Sequence, residues 1–301
     1  MVDVLLATYN GEDYISELLD SLVCQTYQDF RLIVRDDGSI DHTIDIVKSY
    51  QNQLKIEIVH DGDTAGGAKN NFFKLLKHAS SEFVFFADQD DVWLPNKIEI
   101  SLHEIWRYEQ SIPLLVHTDL EVVDNTLHQL NPSLMHLQKL NPAYCTLNRL
   151  IAQNNVTGCT MLINKALVEQ FRNADDSIMH DWWLALIAAA FGKVTFLPFA
   201  TVKYRQHTQN EVGAKDVKSA EYFKSKINNT QGIHESIKMT YQQAQAFLKT
   251  FRDRLDNRQT EMLNAFCALE QYGKCKRFLT LNRYQLFKSG LYRKIGQIIY
   301  G

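Results

Sequence analysis

Apolar residues recur along the first third of the chain in two alternating rhythms. Residues 2–8 form a short apolar run that stops at the turn-prone Tyr9-Asn10-Gly11, the pattern of a buried strand. Ile15, Leu18, Leu19, Leu22 and Val23 then take the three-and-four spacing of an amphipathic helix. The cycle repeats. Residues 30–35 predict a second strand, with Ile40, Ile44 and Val47 marking one face of the next helix. Residues 55–59 predict a third strand, 68–78 a helix and 83–87 a very apolar fourth strand. Strands alternating with helices over residues 1–110 predict an α/β fold, a parallel sheet with right-handed crossovers.

Residues 111–212 are more mixed. Short strands are expected at 114–117, 121–123, 156–163, 194–197 and 202–204, with a helix at 181–191. From residue 213 onward the pattern is helical. Ile237, Tyr241, Ala244, Leu248, Phe251 and Leu255 form one stripe, continued by Met262, Phe266 and Leu269. The expected organisation is an α/β body over 1–212 and a helical appendage over 213–301.

Composition narrows the class. With 45% hydrophobic and 22% charged residues and a net charge of −3, the chain is neither disordered nor a nucleic-acid coat. No apolar run approaches the ~18 residues of a membrane span. Asp3 stands where a signal peptide carries basic residues. The five cysteines, odd in number and without close pairing, read as reduced thiols of a cytosolic protein. Charge is unevenly placed: residues 271–301 hold seven Lys/Arg and no Asp/Glu, so subtracting +7 from −3 leaves −10 on the preceding 270 residues.

In an open parallel sheet, ligands bind beyond the carboxyl ends of the strands. Thr8, Tyr9, Asn10 and Glu12 follow strand one, Asp36 and Asp37 strand two, and Asp61 and Asp63 strand three. Strand four ends in Asp88-Gln89-Asp90-Asp91. Acids clustered on one rim are costly unless a cation neutralises them, and an Asp-x-Asp turn suits a hard divalent ion. Any single one of these acids could instead cap a helix or close a turn.

Three segments carry a resemblance: Ala7-Thr8-Tyr9-Asn10-Gly11, Arg35-Asp36-Asp37-Gly38-Ser39-Ile40-Asp41-His42-Thr43, and Ala87-Asp88-Gln89-Asp90-Asp91-Val92-Trp93-Leu94-Pro95-Asn96-Lys97. In this order the sequence resembles the family 2 glycosyltransferases of the GT-A fold, over residues 1 to about 212. Gly66-Gly67-Ala68-Lys69-Asn70 together with the Asp88–Trp93 wording resembles the rhamnosyltransferase branch. The resemblance implies a Rossmann-like, mostly parallel sheet flanked by helices and a nucleotide-sugar donor, dTDP-L-rhamnose or a UDP-hexose.

It also implies roles. Thr8, Tyr9, Glu12, Asp37, Lys69 and Asp88 fall on the nucleotide side, with Tyr9 stacking on a pyrimidine and Asp37 accepting its N3–H. Asp90, with Asp88 and His207, would hold Mg²⁺ or Mn²⁺. Lys69 either compensates diphosphate charge or is a solvated lysine at a helix start, and His207 is either a metal ligand or a surface histidine. In Met179-His180-Asp181-Trp182-Trp183, Asp181 matches the catalytic base, unless it is only a favourable acid at a helix N-terminus. Trp182 and Trp183 are candidates for the acceptor site, one of them belonging to the core, and Gly158 lies in an acceptor-side loop.

The Gln-x-x-Arg-Trp element of processive members is absent, which implies one sugar added per encounter; the mechanism expected from the resemblance is direct displacement at the anomeric carbon, with inversion. A sugar-phosphate nucleotidyltransferase would place a glycine- and arginine-rich loop after strand one, where Tyr9-Asn10-Gly11-Glu12 stands. Intact Asp88, Asp90 and Asp181 argue against an inactive binding module. In the tail, Tyr284, Phe287, Leu291, Ile295 and Ile298 fall at helical spacing among basic residues. That pattern fits a helix on an anionic inner-leaflet surface, where a lipid-linked glycan acceptor in cell-surface polysaccharide synthesis would wait. The other reading is a helix docked on the acidic body.

Overall fold

The computed structural model describes residues 1–64, 66–172, 175–207 and 230–301. The boundary expected at 212/213 lies outside them. Among the described residues, β1 (Val2–Thr8), β2 (Phe30–Asp36), β3 (Ile56–Val59) and β4 (Phe83–Asp88) form a parallel sheet in the order β3-β2-β1-β4. Register matters most here. Thr8 pairs with Asp36 and Ala7 with Asp88, so the strands carrying the motifs end side by side.

Beyond β4 the pairing becomes mixed. β5 (Val92–Trp93), β6 (Leu114–Val123), β7 (Gln129–Asn131), β8 (Met161–Asn164) and β9 (Lys193–Arg205) complete a nine-stranded sheet. β8 runs antiparallel to both β4 and β6, β9 runs parallel to β6, and β5 is antiparallel to β9. Two pairs of expected short strands are single long ones. Thr118 and Leu120 are buried, which carries β6 unbroken from 114 to 123. β9 spans 193–205, and its register jumps from Leu197 to Ala200 across Pro198, which has no N–H to give a ladder. The strand expected at 156–163 begins only at Met161, because residues 158–160 form a 3₁₀ turn.

Helices α1 (Ile15–Val23), α2 (Thr43–Ser49), α3 (Ala68–Leu76) and α4 (Lys97–Ile105) cover the parallel part. Ile40 lies outside α2 and is 94% exposed, so it marks no helix face. Short helices α5 (Leu134–Leu137), α6 (Leu147–Leu150) and α7 (Lys165–Gln170) precede α8 (His180–Phe191). Strand alternation divides the core in two: Val2, Val4 and Leu6 pack with α1 and α4, while Leu5, Ile33, Val84 and Phe86 face α3 and α8.

The C-terminal helices are α9 (Thr230–Thr250), α10 (Asn257–Cys267), α11 (Lys274–Arg283) and α12 (Leu291–Tyr300). They share the core of α8. The Trp183 ring lies 5.4 Å from Phe247 and 6.2 Å from Phe251, and Phe247 is fully buried where the stripe predicted Leu248. The tail is not one continuous amphipathic helix. Gly290 at φ 82° turns the chain between α11 and α12. Tyr284, Phe287 and Ile298 pack against the core, while Leu291, Tyr292, Ile295 and Ile299 are exposed. Among the described residues no helix is long and apolar enough to cross a membrane.

Asp3, fully buried on β1, ties the first sheet crossovers together. Its carboxylate accepts from Arg31 Nε and Nη2 (3.0 Å each), the Ser80 and Ser81 N–H groups (2.8 and 3.0 Å) and Ser81 Oγ (2.9 Å). Burial pushes its pKa up, but Arg31 and these donors outweigh burial and hold it below the usual carboxylate value. A depressed folded pKa adds stability above the unfolded pKa and loses it as pH falls below. Asp3→Ala, which orphans buried donors, is expected to cost about 3 kcal/mol in urea unfolding. Its deficit should shrink in acid; a deficit that is independent of pH would contradict the ionised clamp.

Candidate active site

A cavity of about 850 Å³ opens over the carboxyl ends of β1, β2 and β4. Thr8, Tyr9, Asp37, Asp88 and Asp90 line one side, and Asn154, Gly158, Asp181 and Trp182 the other. The structure therefore gathers most of the residues that the sequence singles out, from segments as far apart as Thr8 and Trp182.

The strand-two acids divide their work. Asp36 holds the turn: it accepts from Thr8 Oγ1 (2.7 Å), Ser39 Oγ (2.6 Å) and the Ser39 and Gly38 N–H groups (2.7 and 3.1 Å). Asp37 faces the cavity, with Oδ2 accepting from the N–H groups of Gly66 (3.0 Å) and Gly67 (3.2 Å). Its Oδ1 lies 3.5 Å from Arg35 Nη1. That buried guanidinium donates to both Asp61 oxygens at 2.9 Å and to Asn71 Oδ1 at 3.0 Å. The Arg35 hydrogen bonds hold the Asp61 carboxyl down at about 2. At strands two and three the neutralising cation is thus the protein's own Arg35, joined by Lys74 at 3.9 Å from Asp61 and 3.5 Å from Asp63.

At strand four, Gln89 clamps the Tyr9 backbone: its Oε1 accepts from Tyr9 N–H (2.9 Å) and its Nε2 donates to Tyr9 O (2.8 Å). Gly11 makes room for the clamp, since a Cβ there would sit 2.3 Å from Gln89 Oε1. The Tyr9 ring is left 58% exposed at the cavity mouth, open for stacking. Asp90 Oδ2 and His207 Nε2 are 2.7 Å apart, and the His207 ring stacks on Tyr14 at 4.7 Å. Arg205, at the end of β9, donates to Asp90 O (2.9 Å) through Nε and to Asp91 Oδ1 (3.2 Å) through its backbone N–H, and it pairs with Glu17.

This donor set fits a hard divalent ion. Asp90 Oδ2 and His207 Nε2 are in direct hydrogen-bond contact, and Asp88 lines the cavity with Asp90, so carboxylate and imidazole donors of the types such an ion takes stand at this edge. Asp91 and Cys159 have donor atoms within 4.8 Å of an Asp88 oxygen, but both are buried. Burial, then the charges of Asp90 and Asp88, push the Asp91 carboxyl well up, and burial holds the Cys159 thiol protonated. Those two support the motif from behind. Lys97 stands there too, its Nζ 4.6 Å from the Trp93 ring, with burial lowering its pKa to about 8.

Across the cavity, Asp181 begins α8. Its Oδ2 accepts from Gly158 N–H (3.1 Å) and its Oδ1 from Asn154 Nδ2 (3.2 Å) and the Trp182 N–H. Burial outweighs these bonds and pushes its pKa up to about 7. Gly158 has to be glycine for a neighbour's sake: a Cβ would lie 2.7 Å from Nε2 of His180, whose ring is packed 4.1 Å from Phe72. Trp182 lines the cavity and donates Nε1–H to Leu150 O (2.6 Å), whereas Trp183 is fully buried. The tryptophan pair divides as one wall residue and one core residue.

Three expected residues are outside the cavity wall: His207, which touches Asp90 of that wall, Lys69 and Glu12. Lys69 Nζ donates to the Asp175 and Ser177 carbonyls (3.1 and 2.9 Å) and is not in the cavity wall. It ties the start of α3 to the loop leading into Asp181. The Glu12 carboxylate accepts from His42 N–H (2.9 Å), also outside the wall. Arg35, Gln89, Asn154 and Arg205 were not singled out. Arg35 ends an apolar strand beside four acids, a legible sign of a buried guanidinium; Asn154 leaves no pattern at all.

The chain's likenesses agree with this geometry. Residues 3–172 match the profile of Glycosyl transferase family 2. The dTDP-rhamnosyl transferase RfbG of Shigella flexneri is 29% identical over 231 residues, covering 72% of this chain and 76% of its own length. The UDP-Glc:alpha-D-GlcNAc-diphosphoundecaprenol beta-1,3-glucosyltransferase WfgD of Escherichia coli is 27% identical over 172 residues, 57% of this chain and 63% of its own. Among solved structures, S. aureus TarS 1-349 in complex with UDP-GlcNAc superposes with a TM-score of 0.58 at 18% identity, over 99% of this chain and 89% of that one. The mannosyltransferase PcManGT from Pyrobaculum calidifontis, in complex with GDP-Man and Mn²⁺, gives 0.54 at 18% identity over 94% and 73%. Motif order, sheet topology and a profile match over more than half of the chain agree: the protein belongs to glycosyl transferase family 2 and is a glycosyltransferase of the GT-A fold.

Proposed function

We propose that this enzyme transfers a single sugar, with inversion, from a nucleotide-sugar donor to a lipid-linked glycan acceptor in surface polysaccharide synthesis. dTDP-L-rhamnose is the first donor choice, supported by the likeness to RfbG. A UDP-hexose is the second, favoured by the UDP-sugar names of WfgD and of the TarS complex. The observation that carries the reading is a desolvated carboxylate, Asp181, in the same cavity as Asp88 and Asp90.

On the donor side, Tyr9 offers its exposed ring to the pyrimidine, and Asp37, fixed by Gly66, Gly67 and Arg35, offers oxygen lone pairs to the base N3–H. Thr8 and Asp88 bound the ribose side. Asp90 and His207, with Asp88, are the residues to hold Mg²⁺ or Mn²⁺. When bound, such an ion supplies positive charge for the diphosphate leaving group. On the acceptor side, Trp182 presents an apolar face to a sugar ring. Asp181 removes the hydroxyl proton as that oxygen bonds to the anomeric carbon, while the bond to the diphosphate oxygen breaks and its electron pair leaves with the nucleotide. The proton then passes to solvent. The exposed apolar face of α12 and the basic tail support a cytoplasmic enzyme lying on the inner face of the membrane.

An unprotonated Asp181 is required, so kcat/KM should rise with pH, one proton per turnover, and level off above about pH 7. A rate that is flat between weakly acidic and weakly basic pH would exclude Asp181 as the base. Asp181→Asn should lower transfer by about 10²–10⁴-fold, measured with labelled donor, while nucleotide affinity by calorimetry stays nearly unchanged. His207→Ala should raise the Mn²⁺ concentration for half-maximal rate by more than the ~10-fold typical of losing a merely supporting contact, with excess Mn²⁺ restoring much of the rate. An unshifted Mn²⁺ titration would remove His207 from the metal shell.

A further inference from the structure

A second cavity, of about 450 Å³, opens beside the first, and the two share Asn154, Ile178 and Trp182 in their walls. The C-terminal helices build its far side. Ile178, Ile233, Ile237 and Leu291 give it apolar walls, and Lys139, Lys288 and Arg293 bring three cations. No Asp or Glu lines it among the described residues. The segment carrying two of those cations is fixed in place. Lys288 N–H donates to Gln297 Oε1 (2.7 Å), Ser289 N–H to Gln153 Oε1 (2.6 Å), and Gln297 Nε2 to Leu286 O (3.1 Å). Gly290, at φ 82°, makes the turn. Directly beyond, α12 exposes Leu291, Tyr292, Ile295 and Ile299 as an apolar face.

These features ask for one kind of occupant. A free anion has no use for apolar walls, and a flat membrane surface has no use for an open cleft that runs to Trp182. An apolar chain carrying a diphosphate satisfies both halves: cations for the head, isoleucines for the first part of the tail, and the α12 face leading towards the bilayer. We infer that this groove holds the lipid–diphosphate end of the acceptor and so delivers the sugar attached to it past Trp182 to Asp181. The inference rests on the proposed lipid-linked acceptor and locates it. Charge complementarity and continuity with the catalytic cavity carry it.

Farnesyl diphosphate, titrated calorimetrically into the full-length enzyme below its micelle concentration, is the probe. It should bind, and inorganic diphosphate at equal concentration should not displace it. The double variant Lys288→Glu with Arg293→Glu should weaken it about 10-fold or more, as expected for loss of charge-assisted bonds. Gly296→Trp, at a position in the groove wall where an added Cβ meets nothing within 4 Å, should block it sterically. Unchanged dTDP or UDP affinity in the same proteins shows that they are folded. Absent binding, binding indifferent to both variants, or equal competition by inorganic diphosphate would overturn the groove. So would attachment that appears only with anionic vesicles, which assigns the cations to the membrane surface. Failure to transfer sugar to a lipid-linked glycan with farnesyl diphosphate binding intact would instead refute the proposed acceptor and leave the groove standing.

Discussion

Register between β1 and its two parallel neighbours is the constraint on which the site depends. Thr8 beside Asp36 and Ala7 beside Asp88 bring three motif-bearing turns to one edge. A slip of one residue would send every apolar side chain of β1 to the wrong face, so the two cores on either side of the sheet hold this register firmly. Geometry of the acids is therefore inherited from packing of Val4, Leu5 and Leu6, none of which lines the cavity. The cost is electrostatic: acids crowd together at one rim. The fold offsets it locally, with Arg35 between Asp37 and Asp61 and Lys97 behind the strand-four motif, while Arg205 gives Asp91 a backbone N–H and pairs its guanidinium with Glu17.

Environment then separates carboxylates of the same chemistry. Asp61, hydrogen bonded to a guanidinium, is held at about 2, while Asp181, surrounded by apolar wall and given only neutral donors, rises to about 7. The first is a permanent anion. The second can release and take a proton near neutral pH. Groups pushed apart in this way are how one site assigns ionic and acid–base work among identical side chains. Asp91 shows the third outcome, a carboxyl so buried among like charges that burial and Coulomb repulsion both favour its neutral form.

The parallel half of the fold was legible because its strands are mostly apolar and its turns carry Asn, Gly and Asp at the chain reversals. The mixed half was harder to read. Neither β6 nor β9 advertises its length: Thr118 and Asp119 interrupt one apolar run and Pro198 the other, yet the ladders continue across both. Asp37, Asp88, Asp90 and Asp181 could be named from their motifs and line one cavity, which His207 touches through Asp90. Lys69 could not be judged, because its partners are the carbonyls of Asp175 and Ser177, more than a hundred residues away. Gln89 acts through two hydrogen bonds to the distant Tyr9 backbone and Asn154 through one to the distant Asp181 side chain, which leave no periodic trace. The tail's stripe was read as one helix because a three-and-four spacing carries no sign of the left-handed turn that Gly290 makes.

The catalytic role proposed for Asp181 explains why the C-terminal helices share its core. Above pH 7 a carboxylate held at a pKa of about 7 costs on the order of 4 kcal/mol relative to an exposed one, and the sign is unfavourable throughout that range. Something must keep α8 seated while its first turn carries that penalty. Trp183, the second next residue, is fully buried against Phe247 and Phe251 of the appendage. A buried tryptophan of this kind contributes about 3–5 kcal/mol, the same order as the penalty. Trp182 meanwhile stands in the wall between the two cavities. One dipeptide thus anchors the helix on one side and borders both cavities on the other, so the appendage helps to hold the carboxylate where water is scarce.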